Sequence, residues 1–257
     1  MSSEIDGYKV NDETEWSPAL ITTPPLFSWP LRPFSILKYV FGYPGYFLPR
    51  NICYMALALV TWFFLTPNVE SMQTFNVEWV SFIYFRNLAL MFLVFGGWHF
   101  RFYILNAQGK KFSFNKRSPQ AKHRRFLFGD QVYDNMLYTV LSGCTVWTTY
   151  EVMTMWAFAN NLVPFLDWDT NPVWFVILFL VIPLFRDAHF YIVHRILHNR
   201  FLYKHVHALH HKNVDIGPWS GLAMHPFEHL LYFSGILIHW LVLSHPIHAI
   251  LHVQATG

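Results

Sequence analysis

Hydrophobic residues dominate five long runs of this chain, and polar residues gather in the connections between them. The runs cover residues 51–67, 80–105, 133–166, 172–185 and 226–253. A helix needs roughly 17 to 25 apolar residues to cross the hydrocarbon layer of a bilayer. The second, third and fifth runs reach that length by themselves, whereas the first and fourth need their flanks. The pattern therefore predicts an all-α integral membrane protein with four or more transmembrane helices.

Composition strengthens the membrane interpretation. Of the 257 residues, 54% are hydrophobic and only 13% are charged, about half the charged fraction of an average soluble domain. The formal net charge of +3 is too small to indicate a nucleic-acid partner. The two cysteines, Cys53 and Cys144, both lie in apolar runs, so the chain has too few thiols for a cysteine-based zinc site.

The placement of charge predicts the topology. The connection 106–130 contains one acid and seven basic residues, which are Lys110, Lys111, Lys116, Arg117, Lys122, Arg124 and Arg125. The connections 68–79 and 160–171 contain acids and no Lys or Arg. Because basic loops stay on the cytoplasmic side, we expect the N-terminus, the basic loop and the segment 186–215 to be cytoplasmic.

The first 50 residues differ from the rest of the chain. Proline and aromatic residues crowd the stretch 17–50, which favours an irregular segment lying along the membrane interface. We therefore predict an N-terminal interfacial segment over 1–50 and a membrane domain over 51–257. Within that domain, a histidine-box region is expected at about 172–257.

Histidines cluster in the fourth connection. Nine of the fifteen fall between His189 and His229. His194 and His198, in HRILH, are four residues apart, so on a helix both imidazoles lie on one face. The run HALHH adds His207, His210 and His211 at spacings of three and four. Convergent histidine pairs on neighbouring helices are a common way to bind iron, copper or zinc.

The number of histidines favours two metal ions. One structural zinc needs four ligands, and five histidines in two clusters exceed that, with His225 and His229 downstream. His225, His229 and Glu228 are candidate ligands or partners of ligands. Asp187, two helical turns before the cluster, is a candidate to hold the outer N–H of a ligand imidazole.

These residues resemble the fatty acid hydroxylase superfamily, and within it the sterol desaturase branch. The likeness runs through DAHFYIVHRILHNRFLYKHVHALHH and AMHPFEH. Members of the family carry H-x-x-x-H, H-x-x-H-H and a third H-x-x-H-H box. The first two map onto His194 and His198, then onto His207, His210 and His211. The third box is absent, and the simplest explanation of its absence is that the sequence is a C-terminally incomplete copy of a longer protein.

The resemblance implies a membrane-bound non-haem di-iron oxidoreductase that hydroxylates or desaturates a lipid, either a sterol or a fatty acyl chain. It implies iron at the histidines, with zinc as a substitute metal. It also implies dioxygen, and electrons from NAD(P)H through cytochrome b5 or a similar carrier. The basic loop is a candidate dock for that carrier. Eukaryotic relatives imply the endoplasmic reticulum as the location.

Two other functions remain open at this stage. A catalytically inactive membrane protein could keep part of the histidine cluster to bind lipid or metal. The motif HPFEH also matches the H-x-x-E-H motif of inverted zincin proteases, in which two histidines bind zinc and the glutamate activates water. That motif would make His225, Glu228 and His229 a zinc hydrolase site.

Overall fold

The protein is helical throughout the part that packs together. The computed structural model describes residues 24–109, 119 and 123–256, and the backbone of three short strands nearer the N-terminus. The strands form an antiparallel sheet in the order β1 (Ser3–Ile5), β2 (Tyr8–Val10) and β3 (Trp16–Pro18). Most of the predicted basic loop, from Lys110 to Lys122, lies outside the described residues.

Eight helical elements follow the sheet. They are α1 (Pro33–Phe41), α2 (Ile52–Phe64), α3 (Val77–Met91 and its continuation to Ile104), α4 (131–159), α5 (Pro172–Leu197), α6 (200–211), α7 (Pro226–Phe233) and α8 (Pro246–Thr256). Three of them, α3, α4 and α6, combine segments without a break in helical backbone. Helix α4 consists of Gln131–Leu137, Tyr138–Cys144 and Thr145–Ala159. Helix α6 consists of Arg200–Leu202, Tyr203–His207 and Ala208–His211.

Three helices in the described part of the chain are long and apolar enough to cross a membrane. They cover Phe47–Phe64, Val77–Ile104 and Pro172–Leu197. The predicted helical membrane fold is thus confirmed, with three such helices where four or more were expected. The difference arises at the third and fifth hydrophobic runs.

The third run became α4, a helix with a polar face. Its first residue, Gln131, donates hydrogen bonds to Asn213 and to the carbonyl of Asp215, close to the histidines. Beyond its other end, Asn160 donates to the carbonyl of Gln73, in the connection between α2 and α3. At 1.5 Å per residue its 29 residues extend about 43 Å. Helix α4 therefore passes through the thickness of the domain, although it is too polar to count as an apolar span.

The fifth run is broken into short pieces. It contains α7, a 3₁₀ turn at Ser234–Trp240, and α8. Pro246 begins α8, because a proline lacks the N–H that a continuing helix would need. All of α8 is buried, mainly against α2 and α5. Hydrophobicity here reports enclosure by other helices rather than a crossing of the membrane.

A buried polar network joins α3 to α4. Arg86 forms an ion pair with Glu151, and both side chains are almost completely buried. Asn87 donates to the other carboxylate oxygen at 2.9 Å, and Trp147 donates to it at 3.2 Å. Arg86 also donates to the carbonyl of Leu65 at 3.1 Å. An ionised side chain within a membrane domain is tolerated when it is paired in this way.

Replacing Glu151 by Gln should destabilise the fold, because Arg86 would keep its charge in the interior without a countercharge. Breaking a buried pair from one side costs about 3 kcal/mol or more. The melting temperature of the detergent-purified variant is expected to fall by several degrees. Glu78→Gln, on the exposed side of α3, serves as the control and should melt like the unaltered protein. An unchanged melting temperature for Glu151→Gln would contradict the role given to the pair.

Candidate metal centre

A tight turn between two helices brings the histidine boxes together. Helix α5 ends at Leu197, and His198 follows as its C-terminal cap. The next residue, Asn199, caps the start of α6 by accepting a hydrogen bond from the backbone N–H of Phe201 at 3.1 Å. With no further residues in the connection, α6 folds back against the end of α5. HRILH and HALHH therefore face each other.

Four imidazoles converge at this place. They belong to His194, His198, His207 and His211, and their ligand atoms lie within 4.8 Å of one another. Nε2 of His198 is 3.1 Å from Nε2 of His194, and Nε2 of His211 is 3.0 Å from Nε2 of His207. Each pair comes from one helix, as the four-residue spacing predicts. Four imidazole nitrogens around one point are a suitable donor set for iron, zinc or copper.

A carboxylate stands behind one of the four rings. Glu228 Oε1, on α7, is 2.7 Å from Nδ1 of His207, and both side chains are buried. When Nδ1 carries the ring proton and donates it to Glu228, Nε2 has a free lone pair that faces the other three histidines. Such a partner fixes the tautomer and orientation of a metal-binding histidine.

Glu228 also shows that the site lacks positive charge. Burial raises the pKa of Glu228 to about 8. Its second oxygen is buried and accepts no hydrogen bond from a described residue. Burial, followed by the neighbouring histidines, lowers the pKa of His207 to about 3, so its ring is neutral at pH 7. A bound cation would complete the site formed by this buried carboxyl group and the four converging imidazoles, and in this respect the residues fit a metal ion.

The site is open on one side. His207 is buried and His194 is partly buried, whereas His198 and His211 are exposed. A structural metal site is closed by protein ligands, but a catalytic site keeps a position open for water or substrate. The exposed side of the four-histidine cluster can supply such a position.

His210 lies beside the cluster but outside it. Its ring stacks on that of His207, with 5.6 Å between the centroids. Its Nδ1 atom is buried and makes no hydrogen bond to a described residue. Burial lowers the pKa of His210, so this nitrogen is a neutral, unused donor. The structure thus brings four of the five predicted box histidines together, and the fifth, His210, lies beside them.

The residues of HPFEH do not converge as a zinc site requires. His225 caps α7, where its Nδ1 accepts from the backbone N–H of Phe227 at 3.2 Å. His229 donates from Nε2 to the carbonyl of Leu222 at 3.1 Å, and Ser142 donates to its Nδ1 at 2.9 Å. Both nitrogens of His229 are therefore engaged. Glu228 contacts His207 rather than either of these histidines.

Asp187 does not reach a ligand imidazole. Its carboxylate accepts hydrogen bonds from Tyr46 at 2.6 Å and from Arg186 at 2.5 Å. These contacts fix the chain ahead of α2 to the middle of α5. The partner behind a cluster histidine is Glu228, which the sequence offered only among several candidates.

The histidines of the last hydrophobic run form a separate buried group. His239 bonds to Ser244 at 3.0 Å and to His252 at 3.2 Å. His248 lies 3.0 Å from the carbonyl of Phe175. Gly235 is required here, because a Cβ at this position would lie 2.8 Å from Nε2 of His252 and 3.1 Å from Nδ1 of His189. These side chains satisfy one another in the interior.

Single alanine substitutions can separate the roles of neighbouring histidines. His211→Ala removes one of four convergent nitrogens, so the metal that binds at the cluster should be lost or greatly weakened. His210→Ala should keep that metal. His205→Ala is the control, because His205 is exposed on the same helix and its Nδ1 lies 2.9 Å from the carbonyl of Phe201. Metal content per chain, measured by inductively coupled plasma mass spectrometry, checks this. A His210→Ala protein that contains no metal at all would contradict the assignment of four ligands.

Comparison with known proteins places this site within a recognised sequence segment. Residues 179–257 match the model of the fatty acid hydroxylase family. Among curated proteins, chicken methylsterol monooxygenase 1 is 32% identical over 28% of this chain and 25% of its own length. A putative Δ7-sterol-C5(6)-desaturase 2 of Arabidopsis thaliana is 39% identical over 31% and 28%. Sphinganine C4-monooxygenase 2 of the same plant is 43% identical over 21% of each chain.

These matches cover only part of each protein. The chain aligns with about a quarter of the length of the first curated relatives, and no solved structure matches it. The segment that matches the family model nevertheless includes the four converging histidines and Glu228. Residues 179–257 therefore match the fatty acid hydroxylase family model, and relatives named as sterol desaturases or methylsterol monooxygenases align with part of the chain.

Proposed function

We propose that this protein is a membrane-bound non-haem di-iron oxidoreductase that hydroxylates or desaturates a lipid. The observation that carries the proposal is the convergence of four imidazole nitrogens at the end of an apolar, membrane-length helix. A metal held there lies beside the bilayer and is also open to the aqueous side. That position suits a reaction between a lipid and small polar reactants.

Four histidines account for one iron. His194, His198, His207 and His211 hold it, with Glu228 fixing the ring of His207. For the second iron we assign His210, whose Nδ1 is unused, and His225. Both lie close enough to His229 to contribute to the lowering of its pKa. Its remaining donors would be those of the third histidine box, which these 257 residues do not contain.

Bound iron supplies the oxidising chemistry, since with dioxygen and two electrons it can remove hydrogen from an unactivated C–H bond. Hydroxylation consumes one dioxygen, two electrons and two protons and yields the alcohol and one water. Desaturation consumes the same reactants and yields an alkene and two waters. Burial keeps the imidazoles of His207 and His210 neutral, and Glu228 orients His207. The protein also leaves one side of the cluster accessible.

The substrate would enter from the bilayer. Helix α5 exposes Leu184, Phe190 and Ile192 along the stretch below and beside His194. These side chains offer an apolar surface to a lipid tail, while the reacting carbon approaches the histidines. We favour a sterol over a fatty acyl chain, because two of the relatives compared above are named for sterol desaturation or methylsterol oxidation.

The remaining reactants come from outside the chain. We propose electrons from NAD(P)H through cytochrome b5 or a similar carrier, and the endoplasmic reticulum as the location in a eukaryote. The histidine cluster and the N-terminus would then face the cytoplasm. Among the alternatives, zinc in the same four-histidine site would give a metal-binding protein without oxidase activity. The hydrolase built on HPFEH has less support, because both ring nitrogens of His229 are engaged and Glu228 contacts His207.

Iron analysis tests the proposal directly. The detergent-purified protein, expressed with added iron, should contain iron that is lost when His207, His210 and His211 are all changed to Ala. Reconstituted with NAD(P)H, cytochrome b5 and its reductase, the unaltered protein should convert a sterol or acyl lipid to a product 16 Da heavier or 2 Da lighter by mass spectrometry. Zinc in place of iron, with no product from either lipid class, would refute the oxidase and favour the metal-binding alternative.

Glu228→Gln separates the oxidase from the hydrolase. As the partner of His207, the Glu228 carboxyl group, which ionises when a cation binds, strengthens metal binding, so the variant should bind metal about tenfold more weakly. A hydrolase that uses Glu228 to activate water would lose its activity and keep its metal affinity. Affinity is measured by competition with a chelator, and His205→Ala again provides the control.

A further inference from the structure

A helix outside the family-matched segment supports the loop that follows the second histidine box. The polar face of α4 carries Gln131, Asp134, Asn135, Thr139 and Ser142 at spacings that place them on one side of a helix. Each of them has a partner between residues 212 and 229. The family match begins at residue 179, so this support comes from another part of the chain.

The strongest of these contacts lies directly beside a cluster histidine. Lys212, which follows His211, forms an ion pair with Asp134 at 2.6 Å. The Asp134 side chain is fully buried and that of Lys212 is 16% exposed. The ammonium group also lies over the rings of Tyr138 and Phe126, 5.2 Å and 5.3 Å from their centroids. Asp134 is itself held, because its other oxygen accepts from the backbone N–H of Leu127 at 2.9 Å.

Helix α6 depends on such contacts for its position. Its 12 residues are at the lower limit of what forms a stable helix alone. Lys212 caps its C-terminal end by donating its backbone N–H to the carbonyl of Ala208 at 3.1 Å. The last turn contains His211, and His207 lies one turn earlier. An interaction that holds Lys212 in position therefore also holds the two imidazoles that α6 contributes to the cluster.

We infer that Asp134 is a positioning residue of the metal centre and acts through its ion pair with Lys212. The inference rests on the proposed function, since it presupposes a metal at the four histidines. Gln131 acts in the same direction through Asn213 and Asp215. A metal needs its ligands within a few tenths of an ångström, so loss of the pair should weaken binding and alter the geometry of the bound ion.

Cobalt(II) is the probe, because its visible absorption bands report both affinity and ligand geometry. The full-length protein in detergent, freed of metal with a chelator, is titrated with Co²⁺. Asp134→Asn and Lys212→Met should each raise the dissociation constant for Co²⁺ about tenfold and shift the absorption bands. The double variant should bind about as well as either single variant, because residues acting as a pair are not additive.

Asp130→Asn is the matched control. Asp130 caps the same helix by accepting from the N–H groups of Val132 and Tyr133, both within α4. Its Co²⁺ affinity and spectrum should equal those of the unaltered protein. Size-exclusion profiles test whether each variant is folded. If Asp134→Asn is unfolded, Lys212→Met is compared instead, because the Lys212 side chain is partly exposed and its replacement disturbs the fold less.

The outcomes distinguish the two proposals. Unaltered protein that binds no Co²⁺ overturns the proposed metal centre together with this inference. The inference alone is overturned if the unaltered protein binds Co²⁺ and Asp134→Asn has the same affinity and spectrum. Where Asp134→Asn is unfolded, the same result for Lys212→Met overturns it. Additive losses in the double variant would also overturn it, because the two residues would then act independently.

Discussion

Lipid around the helices leaves polar side chains only the interior of the bundle in which to find partners. An unpaired charge or polar atom there loses its hydration without compensation. The protein pairs its buried polar groups at three places, which are Arg86 with Glu151, Asp134 with Lys212, and His207 with Glu228. These pairs join helices that are distant in sequence, and they set the arrangement in which the histidine boxes meet.

The third pair differs from the other two in its charge balance. Arg86 and Lys212 each bring a full positive charge to a carboxylate, but His207 is a neutral imidazole at pH 7 because burial depresses its pKa. Glu228 is therefore left with a raised pKa. Positive charge is therefore lacking beside Glu228, and four imidazole nitrogens converge next to it. A metal ion satisfies both conditions at once.

The proposed metal centre consequently depends on more than the matched segment. Residues 179–257 supply the histidines and Glu228, yet the loop after His211 rests on the polar face of α4. That face also explains why α4 is less apolar than the other long helices. It passes through the domain with its polar side turned towards the histidine loop and towards α3, where those groups are satisfied.

The sequence by itself determined the helical membrane character, the first two histidine boxes and the likeness to the fatty acid hydroxylases. These follow from local signals, namely apolar runs of sufficient length and histidines at helical spacing. Only the tertiary structure decided that α4 is a polar support, that Pro246 divides the last run, that His210 lies beside the four converging histidines rather than among them, and that Glu228 rather than Asp187 contacts a cluster histidine. The physical reason is that spacing along a helix fixes which residues share a face, whereas the partner of that face depends on how distant segments pack.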